Sequence, residues 1–218
     1  MAVYVLDRIG LVPEELMAVA AGALPEERLE KARKYRYEKD RRASILAFWL
    51  LICGMKEEHG ITALPEIGIS ERGKPFFRDS GICFNLSHSA DCVCCGIAGC
   101  KIGVDIEQQV TQYEELLDYT MSREEREQIQ KAPRPREAFT RLWTLKESYL
   151  KCTGQGLTDA LGTIDFAGCE GDTFRKYGHC FTTAGMEGCH VSVCTEEGHP
   201  RIIRSGAEEF LRRYTDAG

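Results

Sequence analysis

Apolar positions along this chain alternate between strand-like runs and helix-like spacing, and the switches mark its elements. Val3 to Leu6 is a short, nearly continuous apolar run, the pattern of a buried strand. Two helical segments follow, Pro13 to Ala20 and Pro25 to about Tyr37. Each has proline at its first position, where a missing N–H leaves no bond unmade. Ser44 to Glu58 predicts a buried helix stopped by Gly60. Strand-like runs then cover Glu66 to Ser70, Ile82 to Ser87, Cys92 to Ala98 and Lys101 to Glu107, with a turn at Gly73-Lys74-Pro75 among them. Helical spacing returns over Tyr113 to Lys131, broken near Thr120, and again over Arg136 to Cys152. Two prolines between Lys131 and Pro135 separate these segments, and Gly154 stops the second. Further β-like pieces lie at Gly162 to Ala167, Thr173 to Tyr177, Phe181 to Thr183 and Cys189 to Thr195. Ser205 with Glu208 three residues on spells a capping box, and predicts a last short helix. Each half mixes helices with short strands, so the expected class is α+β, in two subdomains meeting near residue 100.

Composition bears more on function than on fold. The 218 residues suit one large domain or two small ones. Asp and Glu outnumber Lys and Arg by 34 to 28, and the net charge of −6 argues against general nucleic-acid binding. Met1 to Gly10 lacks the basic start and apolar run of a signal peptide. Ile45 to Met55 is too short for a bilayer that needs ~20 apolar residues. A soluble, cytoplasmic protein without a membrane partner is the expectation. The cysteines number eleven, an odd count that speaks against a disulfide framework. Cys92, Cys94, Cys95 and Cys100 have no matching His-rich partner segment of the kind zinc sites use. Cys92 to Ala98 reads instead as a buried strand in which cysteine is a small hydrophobe.

Four features carry candidate chemistry. In Lys101-Ile-Gly-Val-Asp-Ile-Glu107, Ile102, Val104 and Ile106 share one face of a strand, and Asp105 and Glu107 share the other. Two adjacent carboxylates repel and want a shared proton or a hard divalent cation such as Mg²⁺. An amphipathic strand with solvated acids would show the same pattern. In Leu142 to Lys151, helical spacing aligns Trp143, Glu147 and Lys151. Glu147 and Lys151 could form a plain surface ion pair, or could add a carboxylate and a cation to the first two acids, a set suited to phosphoryl chemistry. Arg28 to Arg42 holds eight cations in fifteen residues, either a solvated face or an anion site. Gly73-Lys74-Pro75 and Ser87-His88-Ser89 offer further phosphate donors. No Gly-x-Ser-x-Gly elbow surrounds either serine, so a serine hydrolase is disfavoured.

Taken in order, Gly73-Lys-Pro75, Asn85-Leu-Ser-His-Ser89, Ile102-Gly-Val-Asp-Ile-Glu107 and Trp143-Thr-Leu-Lys-Glu-Ser-Tyr-Leu-Lys151 resemble the 4′-phosphopantetheinyl transferases, in the larger, surfactin-synthetase-activating (Sfp-like) type. Gly154-Gln-Gly-Leu157 is similar to that family's glycine-containing continuation. The resemblance covers most of residues 25 to 160 and implies two similar α+β subdomains related by a pseudo-twofold axis. These would be residues 1–102, on the nucleotide-binding side, and 103–218, with the metal site and catalytic helix. Coenzyme A would lie in the cleft between them. The implied reaction moves the 4′-phosphopantetheine arm of coenzyme A to a serine of an apo acyl or peptidyl carrier protein and releases adenosine 3′,5′-bisphosphate. The resemblance casts Asp105, Glu107 and Glu147 as Mg²⁺ ligands, Glu147 as base, and Lys151 as stabiliser of the leaving group. It casts Arg28, Lys31, Arg42, Lys74, Ser87, His88 and Ser89 as coenzyme A contacts, joined by Asp105 and Lys151. It also implies a monomer.

Glu125 falls where the family has a further acid, but Ser122-Arg-Glu-Glu125 is also a capping box, and the capping role is favoured. Lys146, about 100° around the helix from Glu147, is left to phosphate or solvent. Two other functions fit some of the same residues: a Mg²⁺-dependent nucleotide pyrophosphate hydrolase, and a non-catalytic module that binds coenzyme A or a carrier protein.

Overall fold

A computed structural model describes residues 1–156 and 161–206. In chain order the elements are β1 (Ala2–Asp7), α1 (Glu14–Gly22), α2 (Glu26–Arg33), α3 (Glu38–His59), β2 (Ile67–Ile69), β3 (Pro75–Phe77), β4 (Cys83–Ser89), β5 (Cys92–Ala98) and β6 (Ile102–Gln108). They continue with α4 (Leu117–Thr120), α5 (Arg123–Lys131), α6 (Pro135–Thr153), β7 (Thr173–Lys176), β8 (His179–Met186), β9 (Cys189–Thr195) and β10 (Arg201–Gly206). The class is mixed α+β. Among the described residues, no helix is long and apolar enough to cross a membrane.

One four-stranded sheet runs β10-β1-β5-β4 and the other β6-β9-β8-β7, with β2 and β3 forming a separate hairpin. Alternation along β1 splits its side chains between two cores. Tyr4 and Leu6 face α3 and its Leu46, Phe48 and Leu50, whereas Val3 and Val5 join Val104, Ile106, Val191 and Val193 of the second sheet. The second sheet's other face packs Phe181 and Cys194 against Phe139, Leu145 and Leu150 of α6. Two sheets thus lie face to face with a long helix outside each. Each fully buried aliphatic side chain in these layers contributes roughly 1.5–3 kcal/mol. β5 is buried at every position, as its cysteine-rich sequence predicts.

The last described strand returns to the first sheet. β10 pairs parallel with β1 from Ala2↔Arg201 to Asp7↔Gly206, and the Arg204 guanidinium donates to Asp7. Here the capping-box reading of Ser205 fails. Ser205 sits within β10, where the open edge of β1 offers a ladder of backbone partners, and Glu208 lies outside the described residues. The expected strand at Gly162–Ala167 is also absent. Leu161–Thr163 forms a 3-10 turn, and side chains take up the backbone donors that follow. The Asp165 N–H donates to the Tyr177 hydroxyl at 2.9 Å, and the Phe166 N–H to Glu125 Oε1 at 2.8 Å. α3 begins at Glu38, six residues earlier than its apolar pattern, with Glu38 and Asp40 in the first turn where the helix dipole favours acids. Gly60 caps it at φ 67°, and Gly154 caps α6 at φ 72°. Leu157 lies outside the described residues.

Candidate active site

The site begins with a missing side chain. A Cβ on Gly103 would stand 2.1 Å from the Ser148 carbonyl oxygen and 2.3 Å from the Cys152 nitrogen, so β6 meets α6 backbone to backbone only because residue 103 is glycine. The strand's period of two then carries Asp105 and Glu107 towards the same helix, which presents Glu147 and Lys151 one turn apart. Asp105 is 2% exposed and Glu147 7%. The Lys151 ammonium donates to Asp105 Oδ1 at 2.6 Å and to Ser87 Oγ at 2.9 Å. Ser87 in turn donates to Asp105 Oδ1 at 3.0 Å, and Ser89 donates to Glu107 Oε2. Asp105 is buried and Glu107 half-buried, each held by a serine, so an amphipathic strand with freely solvated acids does not describe this face.

Asn85, Ser87 and Ser89 occupy alternate positions of β4 and form a polar seam with β6. Asn85 Oδ1 accepts the Val104 N–H at 2.8 Å, and Ser89 Oγ accepts the Gln108 N–H at 3.3 Å. Ser87 and Ser89 therefore reach the site by holding its carboxylates. His88 alternates away from them and is exposed.

Crowded acids in a dry place raise one another. Burial pushes the Glu147 carboxyl up to about 7, and Asp105 and Glu107 add to the effect against Lys151. Burial also raises Glu107, opposed by its Ser89 hydrogen bond. Burial pulls the Lys151 ammonium down, but its contact with Asp105 outweighs this and leaves it above its ordinary value. Asp105 Oδ2 and Glu147 Oε1 are buried with no hydrogen-bond partner. Unsatisfied carboxylate oxygens beside a third acid are a donor set that fits a hard divalent cation. The acids are set wider than a closed shell. Among the described residues, the triad of His, Cys, Asp or Glu donor atoms within 4.8 Å of one another is Cys152, His179 and Cys194.

Glu147 and Lys151 line a cleft of about 240 Å³ together with Lys74, Asn85 and Gly154. Gly73, at φ 81°, turns Lys74 back so that its ammonium donates to the carbonyls of Ile102 (3.0 Å) and Lys151. Arg72 donates to the Gln155 carbonyl at 2.8 Å. Both cations answer the negative end of α6. Pro75 separates this cleft from a second one of about 490 Å³, which Arg28 and Lys31 line with Phe48 and Phe84. The Arg28 guanidinium lies 4.6 Å from the Phe48 ring centroid, and its Nε is buried without a partner. Arg42 lines neither cleft. Its guanidinium pairs with Glu14 and donates to the carbonyls of Ile9 (3.4 Å) and Val12.

Lys146 reaches neither phosphate nor solvent. It is fully buried and pairs at 2.6 Å with an equally buried Glu125, while donating to the carbonyls of Thr120 (2.6 Å) and Leu161 (3.0 Å). Glu125 Oε2 accepts the Ser122 N–H at 2.8 Å, and Ser122 Oγ accepts the Glu125 N–H at 3.1 Å, so the capping box forms as expected. Every oxygen of this pair is used, which removes Glu125 from the acid site. Sequence reasoning missed Gly103 and Asn85 as positioning residues. The available signals were a glycine inside an otherwise apolar strand and the period-two run Asn85, Ser87, Ser89.

Comparison with known proteins identifies the family. A family model described as the 4′-phosphopantetheinyl transferase superfamily matches residues 101–208, the span that holds β6 and α6. A 4′-phosphopantetheinyl transferase of Bacillus subtilis is 26% identical over 208 residues, covering 93% of this chain and 84% of the relative. The 4′-phosphopantetheinyl transferase AcpT of Salmonella typhimurium is 31% identical over 147 residues, covering 64% of this chain and 71% of the relative. The 4′-phosphopantetheinyl transferase Sfp of Bacillus subtilis strain 168 is 28% identical over 138 residues, covering 62% of this chain and 61% of the relative. With its acids and lysine set on the two elements this match spans, the chain belongs to the 4′-phosphopantetheinyl transferase family.

Proposed function

We propose that this transferase moves the 4′-phosphopantetheine arm of coenzyme A to a serine hydroxyl of an apo acyl or peptidyl carrier protein and releases adenosine 3′,5′-bisphosphate. The observation that carries the reading is the mutual approach of Asp105, Glu107, Glu147 and Lys151, with Glu147 and Lys151 lining the cleft and two carboxylate oxygens buried and unpaired. Asp105, Glu107 and Glu147 would hold Mg²⁺, which when bound offsets charge on the pyrophosphate. Glu147, at about 7, is partly ionised near neutrality and is the base for the serine proton. The serine oxygen forms a bond to the β-phosphorus, the bond from that phosphorus to the oxygen of the adenosine side breaks, and the proton passes to Glu147. Lys151, held at 2.6 Å from Asp105, faces the departing bisphosphate and compensates its charge.

Arg28, Lys31 and Lys74 are assigned to coenzyme A phosphates, with His88 at the exposed rim. Ser87 and Ser89 act through the carboxylates they hold, and Arg42 through the loop it ties down. Residues 1–102 supply the nucleotide side, and residues 103–218 the acids and Lys151. The enzyme is read as a cytoplasmic monomer.

Mixing the protein with coenzyme A, Mg²⁺ and several apo carriers, then weighing the carriers by mass spectrometry, tests the reading. Carriers should gain the mass of the arm. Glu147→Gln, folded by circular dichroism, should transfer roughly 10²–10⁴-fold more slowly. Unchanged carriers would overturn the proposal, and coenzyme A cleaved without any carrier would point to a hydrolase.

A further inference from the structure

One residue beyond Lys151, a second cluster joins three elements. Cys152 on the last turn of α6, His179 at the start of β8 and Cys194 on β9 bring two sulfurs and an imidazole nitrogen within 4.8 Å of one another. We propose that these three side chains form a zinc site, separate from the acid site and independent of the transferase reading.

The donor chemistry favours a borderline-soft cation. Two thiols and an imidazole suit Zn²⁺, whereas the hard oxygens of Asp105, Glu107 and Glu147 suit Mg²⁺. Both cysteines are free thiols, 2% and 0% exposed, while His179 is only half-buried and leaves a path for the ion. A backbone contact favours the tautomer the site needs. The His179 Nδ1 lies 2.8 Å from the Tyr177 carbonyl oxygen, which can only accept, so the contact calls for a proton on Nδ1 and leaves Nε2 as the nitrogen for the ion. Metal-binding histidines are fixed by this kind of backbone hydrogen bond. The Tyr149 ring packs edge-on to the imidazole at 5.4 Å and sets its plane.

Charge balance also agrees. Binding breaks both S–H bonds, releases the protons to solvent, and forms two S–Zn bonds. Two thiolates, a neutral imidazole and Zn²⁺ sum to zero, so the buried site gains no net charge beside the Lys74 ammonium, which interacts with both thiols. The step forfeits the weak donation from Cys152 Sγ to the Lys101 carbonyl at 3.6 Å and the thiol–thiol hydrogen bond between Cys152 and Cys194. Water completes the tetrahedron. An occupied site would pin the end of α6 to β8 and β9 and so fix the turn that carries Lys151.

Reduced, chelator-stripped full-length protein titrated with Zn²⁺ against a chromophoric chelator tests this, with Co²⁺ as spectroscopic probe. One tight equivalent is expected, with thiolate-to-Co²⁺ charge-transfer bands in the near ultraviolet. Cys152→Ser and His179→Ala should each weaken binding by more than about tenfold, since even outer-shell partners of metal ligands carry that much. His179 is half-buried, so its alanine variant keeps the test decisive if the cysteine variant unfolds. Cys100→Ser should bind as the parent does. Absence of stoichiometric uptake, uptake unchanged in His179→Ala, or uptake abolished by Cys189→Ser instead would overturn the proposal.

Discussion

Replacing Gly103 by alanine probes the contact on which the site's geometry depends. The new Cβ would stand 2.1 Å from the Ser148 oxygen, 2.3 Å from the Cys152 nitrogen and 2.8 Å from the Lys151 carbonyl carbon. All three are backbone atoms of α6, so no rotamer change relieves the clash. To reach even 3.0 Å the helix must withdraw by about 1 Å, which opens the 2.6 Å Lys151–Asp105 bond past hydrogen-bonding range. Overpacking of this kind costs roughly 1–3 kcal/mol. A Gly→Ala change at an unstrained position would instead stabilise by about 0.4–1 kcal/mol through the unfolded chain, so the sign is diagnostic. Gly185 on β8 serves as control, because a Cβ there meets nothing closer than His190 Nδ1 at 3.7 Å. Urea titrations of both variants, with unchanged slopes, give the stabilities. Transfer should fall about 100-fold in Gly103→Ala, the usual consequence of a 1 Å misplacement. A Gly103→Ala protein as stable and active as the Gly185→Ala control would refute this account of the β6–α6 contact.

Other expectations follow from the buried charges. Lys146→Met strands Glu125 in a fully buried position and should cost about 3–5 kcal/mol in urea or thermal unfolding. In chelator, stability should fall as pH rises from about 5 to 7. The Glu147 carboxyl holds its proton up to about 7 when folded but only to its ordinary 4.5 when unfolded, so its contribution is complete below 4.5 and gone above 7. The amplitude is up to about 3 kcal/mol, and Glu147→Gln should flatten that slope. Mg²⁺, by compensating the ionised acids, should restore more stability at pH 8 than at pH 5, read by thermal shift.

Much of this was legible in the sequence where local rules act alone. Cys189–Thr195 and Cys92–Ala98 are strands with the bounds their apolar runs suggest, and Gly60 and Gly154 end their helices in the left-handed region. Asp105, Glu107, Glu147 and Lys151 declared themselves because periods of two and 3.6 place them on single faces, and family resemblance linked those faces. Readings failed where a distant partner decided. Ser205 has the letters of a helix cap, but the free edge of β1, about two hundred residues earlier, makes it a strand. Lys146 sits at an ambiguous angle on its helix, and only the approach of Glu125 from α5 buries it. The Cys152, His179 and Cys194 cluster has no local spacing to find, since a helix and two strands each supply one donor.

The central claim is that acids from β6 and α6 share one divalent cation beside the cleft. Titrating the protein with Mn²⁺ in the presence of coenzyme A, and following free Mn²⁺ by electron paramagnetic resonance, measures that claim directly. One site in the parent, weakened more than about tenfold in both Asp105→Asn and Glu147→Gln, is the predicted result. Binding of equal strength in all three proteins would contradict it.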